Sequence, residues 1–174
     1  PEDTIREVKR LTGRMVAINL EPATIKNNDE ESVWNLTTGR QATVENARKA
    51  ADMGVDMIVL TGNPGVGVDN EAIMQALSKL KDAVGDRVIL TAGKMHASGI
   101  ISEAGEKILT EKDIVDFIDA GTDVILLPAP GTVPGITMEY AGKLIKKAHE
   151  KGALAMTTIG TSQEGADEDT IRQI

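Results

Sequence analysis

The sharpest chemical signal in the sequence is the run TAGKMHASG, in which Lys94 and His96 follow an apolar strand and are predicted to lie in a loop bordered by glycines. A lysine amine can form a Schiff base with a carbonyl compound, and a neighbouring histidine can carry the proton that this step moves. The sequence therefore predicts Lys94 and His96 as catalytic residues. The alternative is that Lys94 only binds an anionic group while His96 caps a backbone carbonyl.

Glu21 is the third predicted catalytic residue, because it ends an apolar run and alternates with the polar Asn19. A carboxylate at the end of a strand is suited to general base catalysis or to binding a divalent metal. In the alternative metal site the ligands are Glu21 and His96, which are too few for a complete site, so the cofactor stays open. A surface carboxylate before Pro22 is the other interpretation of Glu21.

Three Gly- and Pro-rich segments are predicted to bind an anionic substrate. TGNPGVGVDN joins an apolar run to a helical pattern, and its backbone N–H groups and helix N-terminus suit a phosphate or carboxylate. It matches neither nucleotide-binding glycine motif, so a nucleotide is not indicated. PAPGTVPGIT and IGTSQEGAD offer neutral hydrogen bonds to a small polar ligand. The predicted binding residues are Asn19, Thr61, Asn63, Gly65, Gly67, Thr132, Thr161, Ser162 and Gln163.

These residues need elements to position them, and five apolar runs rich in Val, Ile and Leu are predicted to be buried parallel strands. The runs cover residues 15–20, 55–60, 88–90, 124–127 and 153–156. Helical patterns alternate with them over residues 4–11, 44–53, 71–84, 111–120 and 138–151, and another begins near Ala166. The predicted N-caps are Thr43, Asp69 or Asn70, Thr110 and Thr137, and Thr110 with Asp113 comes close to a capping box.

Strand followed by helix five times over implies a parallel sheet with right-handed crossovers. The helix-to-strand connections are short glycine turns, whereas the strand-to-helix connections are long and hold most of the Gly and Pro residues. The carboxyl ends of the strands therefore form the predicted functional face.

Side-chain alternation along the strands favours a barrel over an open sheet. In MVAINLE the apolar set at positions 16, 18 and 20 would face the helices, which leaves Asn19 and Glu21 for a lumen that becomes polar towards its mouth. The same pattern assigns Val59 and Thr61 to the lumen, and in the last run Ala155 and Thr157. Gly93 leaves open which way Lys94 points.

The predicted fold class is therefore α/β, a (β/α)8 TIM barrel present here as about five βα units. Five strands cannot close such a barrel, so residues 1–174 are expected to form a single barrel domain that is truncated at both ends. Such a piece exposes two sheet edges, which predicts a homo-oligomer.

Composition narrows the classes of partner. There is no cysteine, so a thiolate nucleophile and a Cys-ligated zinc are excluded. Lys and Arg number 19 against 27 Asp and Glu, which disfavours a nucleic acid. No apolar run approaches the roughly 18 residues of a membrane helix, so we expect no membrane partner and take the cytoplasm as the default location. The only other histidine, His149, gives no support for a hydrolytic triad.

Long stretches of the chain resemble a bacterial family of TIM-barrel proteins of unassigned activity. The resemblance lies in GKMHASG, LLPAPGTVPGIT and MTTIGTSQEGAD, and INLEP and TGNPGVGV extend it over nearly the whole chain. Some members are called haloacid-dehalogenase-like hydrolases, whose nucleophile lies in a DxDx[TV] motif at the end of an apolar strand. Here the acidic run 167–170 follows a glycine and opens a helix, where capping explains it better. The resemblance implies a fold and a polar rim, and no catalytic residues.

Together these features predict an enzyme of the aldolase or lyase type that acts on a small phosphorylated or carboxylated carbonyl compound. Lys94 would bind the electrophile or form the Schiff base, and His96 or Glu21 would carry the proton. One alternative is a metal-assisted hydrolase or lyase with Glu21 and His96 as ligands. The other is a non-catalytic sensor that binds a metabolite at the same rim.

Overall fold

The computed structural model describes residues 2–22, 37–62, 68–94, 108–133, 135–159, 168 and 172. Within them, helices and strands alternate in the predicted order. The elements are α1 (Glu2–Thr12), β1 (Ala17–Asn19), α2 (Val44–Asp52), β2 (Met57–Gly62), α3 (Asn70–Val84), β3 (Ile89–Lys94), α4 (Glu111–Asp119), β4 (Val124–Pro128), α5 (Met138–Glu150) and β5 (Leu154–Thr158). None of the helices in these ranges is long and apolar enough to cross a membrane.

The five strands form one parallel sheet in the order β1-β2-β3-β4-β5, so each strand pairs with its neighbour in the chain. Sequential order, with a helix between successive strands, is the topology of a (β/α)8 barrel, whereas open doubly wound sheets reverse their order. The fold is therefore α/β, and the five-stranded sheet is part of a TIM barrel, as the sequence predicted.

Four strands extend further towards their carboxyl ends than the sequence predicted, because the ladders continue through polar residues. Gly62 pairs with Lys94 and Pro128 pairs with Thr158, beyond the last apolar residue of each run. Lys94 is consequently the final residue of β3, which corrects the expectation that it lies in a loop. Conversely, β1 is limited to Ala17–Asn19, shorter than the predicted run 15–20.

The helices begin at the predicted caps. Hydroxyl groups of Thr43 and Thr137 and the carboxylate of Asp69 accept N–H groups of the first turns of α2, α5 and α3. Thr110 and Asp113 form the complete, reciprocal capping box of α4. The glycine turns that lead into the strands all have positive φ, as a left-handed helix end requires. Residues 168 and 172 are helical, within the helix predicted to begin near Ala166.

One face of the sheet packs against the helices, and the alternation predicted for β1 and β2 is confirmed. Ile58 and Leu60 are fully buried in the core beneath the helices, while Val59 and Thr61 on the opposite face are partly exposed. This second face is the lumen side of the barrel.

The faces predicted for β5 are wrong. Ala155 pairs with Ile125, which lies in the helix-side core, so Ala155 packs under the helices and Leu154 faces the lumen. Leu154 is 66% exposed there, and among the described residues no strand lies beyond β5 to cover it. Thr157 correspondingly shares the helix-side parity of Leu127, with which it pairs.

At the amino ends of the strands, Asp56 holds α1, β1 and β2 together. One oxygen accepts the Lys9 ammonium at 2.7 Å and the other accepts the N–H of Val16 at 2.8 Å. These hydrogen bonds, led by that from Lys9, lower the pKa of Asp56 below its usual value.

Asp123 makes the same arrangement one strand pair further along. Its two oxygens accept the Lys81 ammonium of α3 at 3.1 Å and the N–H of Leu90 at 2.8 Å. The hydrogen bond to Asp123 is the largest cause that raises the pKa of Lys81. We call these two arrangements the Asp56 clasp and the Asp123 clasp; both lie at the opposite end of the sheet from the predicted site.

Candidate functional site

The carboxyl end of β1 is held on both sides, which fixes the position of Glu21. On one side Leu20 donates its N–H to the carbonyl of Val59 in β2 at 3.1 Å. On the other side the returning segment 40–42 pairs with Glu21 as a parallel bridge: the Glu21 N–H donates to Arg40 at 2.7 Å and Ala42 donates to Glu21 at 2.9 Å. The backbone of Glu21 is therefore part of an extended sheet, not of a free loop.

The carboxylate of Glu21 has two oxygens in different surroundings. Oε1 accepts hydrogen bonds from Arg40 Nη2 at 3.1 Å and from Asn19 Nδ2 at 2.9 Å. Oε2 is buried and, within the described residues, has no hydrogen-bond partner. The Glu21 side chain is 7% exposed, whereas that of Arg40 is 61% exposed, so the ion pair joins a buried carboxylate to a largely exposed guanidinium group.

Thr61 of β2 extends this cluster, because its hydroxyl donates to Asn19 Oδ1 at 3.3 Å. The structure thus brings together three residues that the sequence predicted for the site, Asn19, Glu21 and Thr61. Arg40 was not predicted. It lies in a long polar segment where neither periodicity nor a motif marks it, and only the pairing of 40–42 with Glu21 brings it to the site.

Lys94 lies at the carboxyl end of β3 and is 1% exposed, one of the largest fully buried side chains in the described ranges. A lysine is almost never fully buried unless its ammonium group is paired. It pairs with Gly62 and has the same parity as Leu90 and Ala92, which would place it on the helix side of the sheet if alternation held. The residue before it decides whether alternation holds.

Gly93 departs from the ordinary geometry of a strand. A Cβ built on it would lie 1.7 Å from the carbonyl oxygen of Leu126 in β4 and 2.6 Å from the carbonyl carbon. A normal side chain projects perpendicular to the sheet and not into the neighbouring strand. A Cβ at Gly93 would thus point along the sheet, so the alternation of side chains is interrupted between Ala92 and Lys94, although the ladder continues in register from Gly93 to Lys94.

Thr91 is a polar residue that the sequence analysis did not select. It is fully buried, pairs with Val59 on the lumen side, and its hydroxyl has no hydrogen-bond partner among the described residues. The sequence could have indicated Thr91, because it is a polar residue in an apolar run and alternation places it on the lumen face of β3.

Thr132 is the one predicted rim residue of the β4–α5 connection, and its hydroxyl donates to the carbonyl of Ala129 at 2.6 Å. This hydrogen bond stabilises the turn that contains Thr132. The other predicted site residues lie outside the described residues: His96, Asn63, Gly65, Gly67, Thr161, Ser162 and Gln163. Their roles stay predictions.

A crevice of about 780 Å³ opens elsewhere, between α1 and α2. Among the described residues, its lining comes from these two helices and the residue that follows α2, so it lies on the outer layer of the barrel. It has no part in the cluster around Glu21, which the strand ends position.

Comparison with known proteins adds a family and a fold. Residues 1–174 match the family described as Domain of unknown function (DUF7916). No curated protein matches the sequence. The crystal structure of dihydrodipicolinate synthase from Oceanobacillus iheyensis is similar, with a TM-score of 0.50 and 19% identity over 87% of this chain and 45% of that one. This chain thus spans less than half of that protein, and the likeness shows the barrel fold alone.

Proposed function

The chain belongs to the DUF7916 family, and we propose that it acts at the carboxyl face of a TIM barrel as a lyase or aldolase on a small anionic carbonyl compound. The observation that carries the proposal is Lys94, a fully buried lysine at the carboxyl end of a barrel strand. In barrel enzymes this end of the strands is where catalytic residues lie. The similar structure, a synthase in name, agrees with this class.

In the proposed reaction the Lys94 amine attacks the carbonyl carbon. The attack gives a carbinolamine, and the two amine protons pass in turn to the former carbonyl oxygen, which leaves as water. The resulting imine, once protonated, can accept electrons from a neighbouring carbon–carbon bond. Exclusion of water around a buried lysine protects such an imine from hydrolysis. Glu21 or His96 would carry the proton, and the segment 62–67, with Gly65 and Gly67, would bind the anionic group.

Two further candidates use the same rim. Glu21 Oε2, which has no partner among the described residues, could instead bind a divalent metal together with His96, as in a metal-assisted hydrolase. Activity that survives complete removal of divalent ions would contradict this candidate. A sensor would bind a metabolite tightly and release it unchanged.

We also propose that residues 1–174 are part of one larger barrel domain.

Reductive trapping tests the proposal directly. The protein is incubated with a panel of 2-oxo acids and sugar phosphates, treated with borohydride, and digested with trypsin. An adduct on Lys94 blocks cleavage there, so the peptide 88–94 is replaced by the peptide 88–107 carrying the added mass. Loss of the adduct in Lys94→Ala is expected, while Lys151→Ala, which removes an exposed lysine of the amino face, should leave it intact. Adducts on exposed lysines alone would contradict the proposal.

A further inference from the structure

We propose that Oε2 of Glu21 accepts a hydrogen bond from a hydroxyl group of the substrate, so that the substrate is a hydroxylated carbonyl compound. The inference rests on the proposed function for the carbonyl group and adds a second functional group to the ligand. It assigns to one oxygen atom the role of distinguishing among small carbonyl acids.

The first step is the state of that oxygen. Oε2 is buried and has no hydrogen-bond partner among the described residues, although its carboxylate is ion-paired through Oε1. Burial of a polar atom without a partner costs stability, and native structures retain few such atoms. Because the backbone of Glu21 is fixed by pairing on both sides, the carboxylate cannot relieve the cost by a shift of the chain.

The second step is the chemistry of the missing partner. An ionised carboxylate oxygen only accepts hydrogen bonds, so the partner must be a donor. The charge of Glu21 is already balanced by Arg40 at 3.1 Å, so a second cation is not needed for neutrality. The side chains that continue the cluster, Asn19 and Thr61, are neutral. A neutral donor, and hence a hydroxyl group, fits this environment better than an ammonium group or a metal ion.

The third step concerns a second buried polar atom that lacks a hydrogen-bond partner among the described residues. Thr91 Oγ1, on the lumen face of β3, is also buried without a partner in the described ranges. A hydroxyl of the protein both donates and accepts, which is the complement of another hydroxyl. β1 and β3 are separated by β2, so the two atoms belong to strands roughly 10 Å apart, a span suited to a ligand of several carbon atoms.

The experiment compares oxo acids that differ by one group. Hydroxypyruvate and 2-oxobutyrate have a hydroxyl and a methyl at the same position, and 4-hydroxy-2-oxobutyrate and 2-oxopentanoate repeat the comparison one carbon further out. Dissociation constants are measured by calorimetry on the unchanged protein, on Glu21→Leu, and on Glu150→Leu, which removes a glutamate from α5 at the amino face. A hydrogen bond to a charged group predicts about tenfold or greater preference for one hydroxy acid.

The expected result is that preference in the unchanged protein and in Glu150→Leu, and its loss in Glu21→Leu. Equal affinities within both pairs, no binding of any of the four acids, or a preference that survives Glu21→Leu would overturn the inference. Stabilisation by Mg²⁺ or Mn²⁺ alone that depends on Glu21 would overturn it too, because Oε2 would then be a metal ligand. If Glu21→Leu does not fold, Glu21→Gln takes its place, because it keeps the size of the side chain and removes the carboxylate; a preference that survives Glu21→Gln would equally overturn the inference.

Failure of the proposed function gives a different pattern. Hydroxyl preference without a borohydride adduct on Lys94 would reject the Schiff base and retain the site at Glu21. An adduct formed equally with both members of each pair would retain the Schiff base and reject the hydroxyl site.

Discussion

The tightest steric constraint in the sheet is at Gly93. A Cβ there would overlap the carbonyl group of Leu126, and a backbone atom of a central strand cannot move aside as a flexible side chain can. We expect Gly93→Ala to lower the free energy of unfolding by about 3 kcal/mol, measured by urea denaturation. The matched control is Gly142→Ala in α5, where nothing lies within 4 Å of the added methyl. That change should stabilise by about 0.5–1 kcal/mol, and equal effects of the two variants would contradict the prediction.

Arg40 acts through Glu21 and is a positioning residue. Its removal leaves a buried carboxylate with Asn19 as its remaining donor, so Arg40→Ala should cost about 1–2 kcal/mol of stability, an effect moderated by the 61% exposure of the Arg40 side chain. Arg40→Lys should recover part of the loss. The hydroxyl preference of the bound oxo acids should fall in Arg40→Ala even where it folds, since a freed carboxylate can turn Oε2 away. Unchanged preference in this variant would leave Arg40 a purely structural role.

Strand parity alone was enough to group Asn19, Glu21 and Thr61, because residues two apart on a strand share a face and neighbouring strands bring those faces together. Arg40 could not be found this way. Its contact depends on where a long connection returns, which local sequence does not encode. Thr91 was accessible to the same parity argument and was missed because its run is otherwise apolar.

Among the elements, α4 offers the clearest test of a local signal. Thr110 and Asp113 exchange hydrogen bonds across the first turn, so Thr110→Ala removes both a donor and an acceptor of the box. We expect a loss of about 1 kcal/mol in the free energy of unfolding, and full recovery in Thr110→Ser, which keeps the hydroxyl. If Thr110→Ser is as unstable as Thr110→Ala, the methyl group rather than the cap is responsible.

The Asp56 clasp predicts a pH dependence. The folded-state pKa of Asp56 is below its usual value near 3.8, so its contribution to stability is complete above about pH 5 and is lost as the pH falls through the folded pKa. Thermal melts between pH 7 and pH 2 should therefore show a smaller acid destabilisation in Asp56→Asn than in the unchanged protein. Lys9→Met should fall between them, because the Val16 N–H still favours the ionised carboxylate. A steeper acid loss in Asp56→Asn would contradict this assignment.

Helix caps and glycine turns were predictable because each depends on residues a few positions apart. The strand ends were not, since a ladder continues wherever a neighbour supplies partners, even through Gly62, Lys94 or Pro128. The faces of β5 were wrong for a related reason. A large apolar residue usually faces the helices, but at the edge of the sheet Leu154 faces a lumen that the described residues leave uncovered.

For the whole molecule, no strand among the described residues pairs with the outer side of β5, where Leu154 is 66% exposed. The β1 edge is covered at its carboxyl end by segment 40–42, so the predicted self-association should depend mainly on the other edge. We expect sedimentation velocity to show concentration-dependent association of the chain, weakened by Leu154→Lys. The control is Met138→Lys, which replaces a similarly exposed apolar residue (73%) at the start of α5 and should leave the association unchanged. A compact monomer at all concentrations would contradict the predicted oligomer.

The two clasps also show that the sheet repeats in units of two strands. The same four partners recur around residues 56 and 123: a lysine from the helix before the first strand of a pair, an N–H at the start of that strand, and the backbone bonds on either side of the aspartate. The same bond pattern thus recurs with a period of two strands, so the pairs β1–β2 and β3–β4 are equivalent units of the sheet.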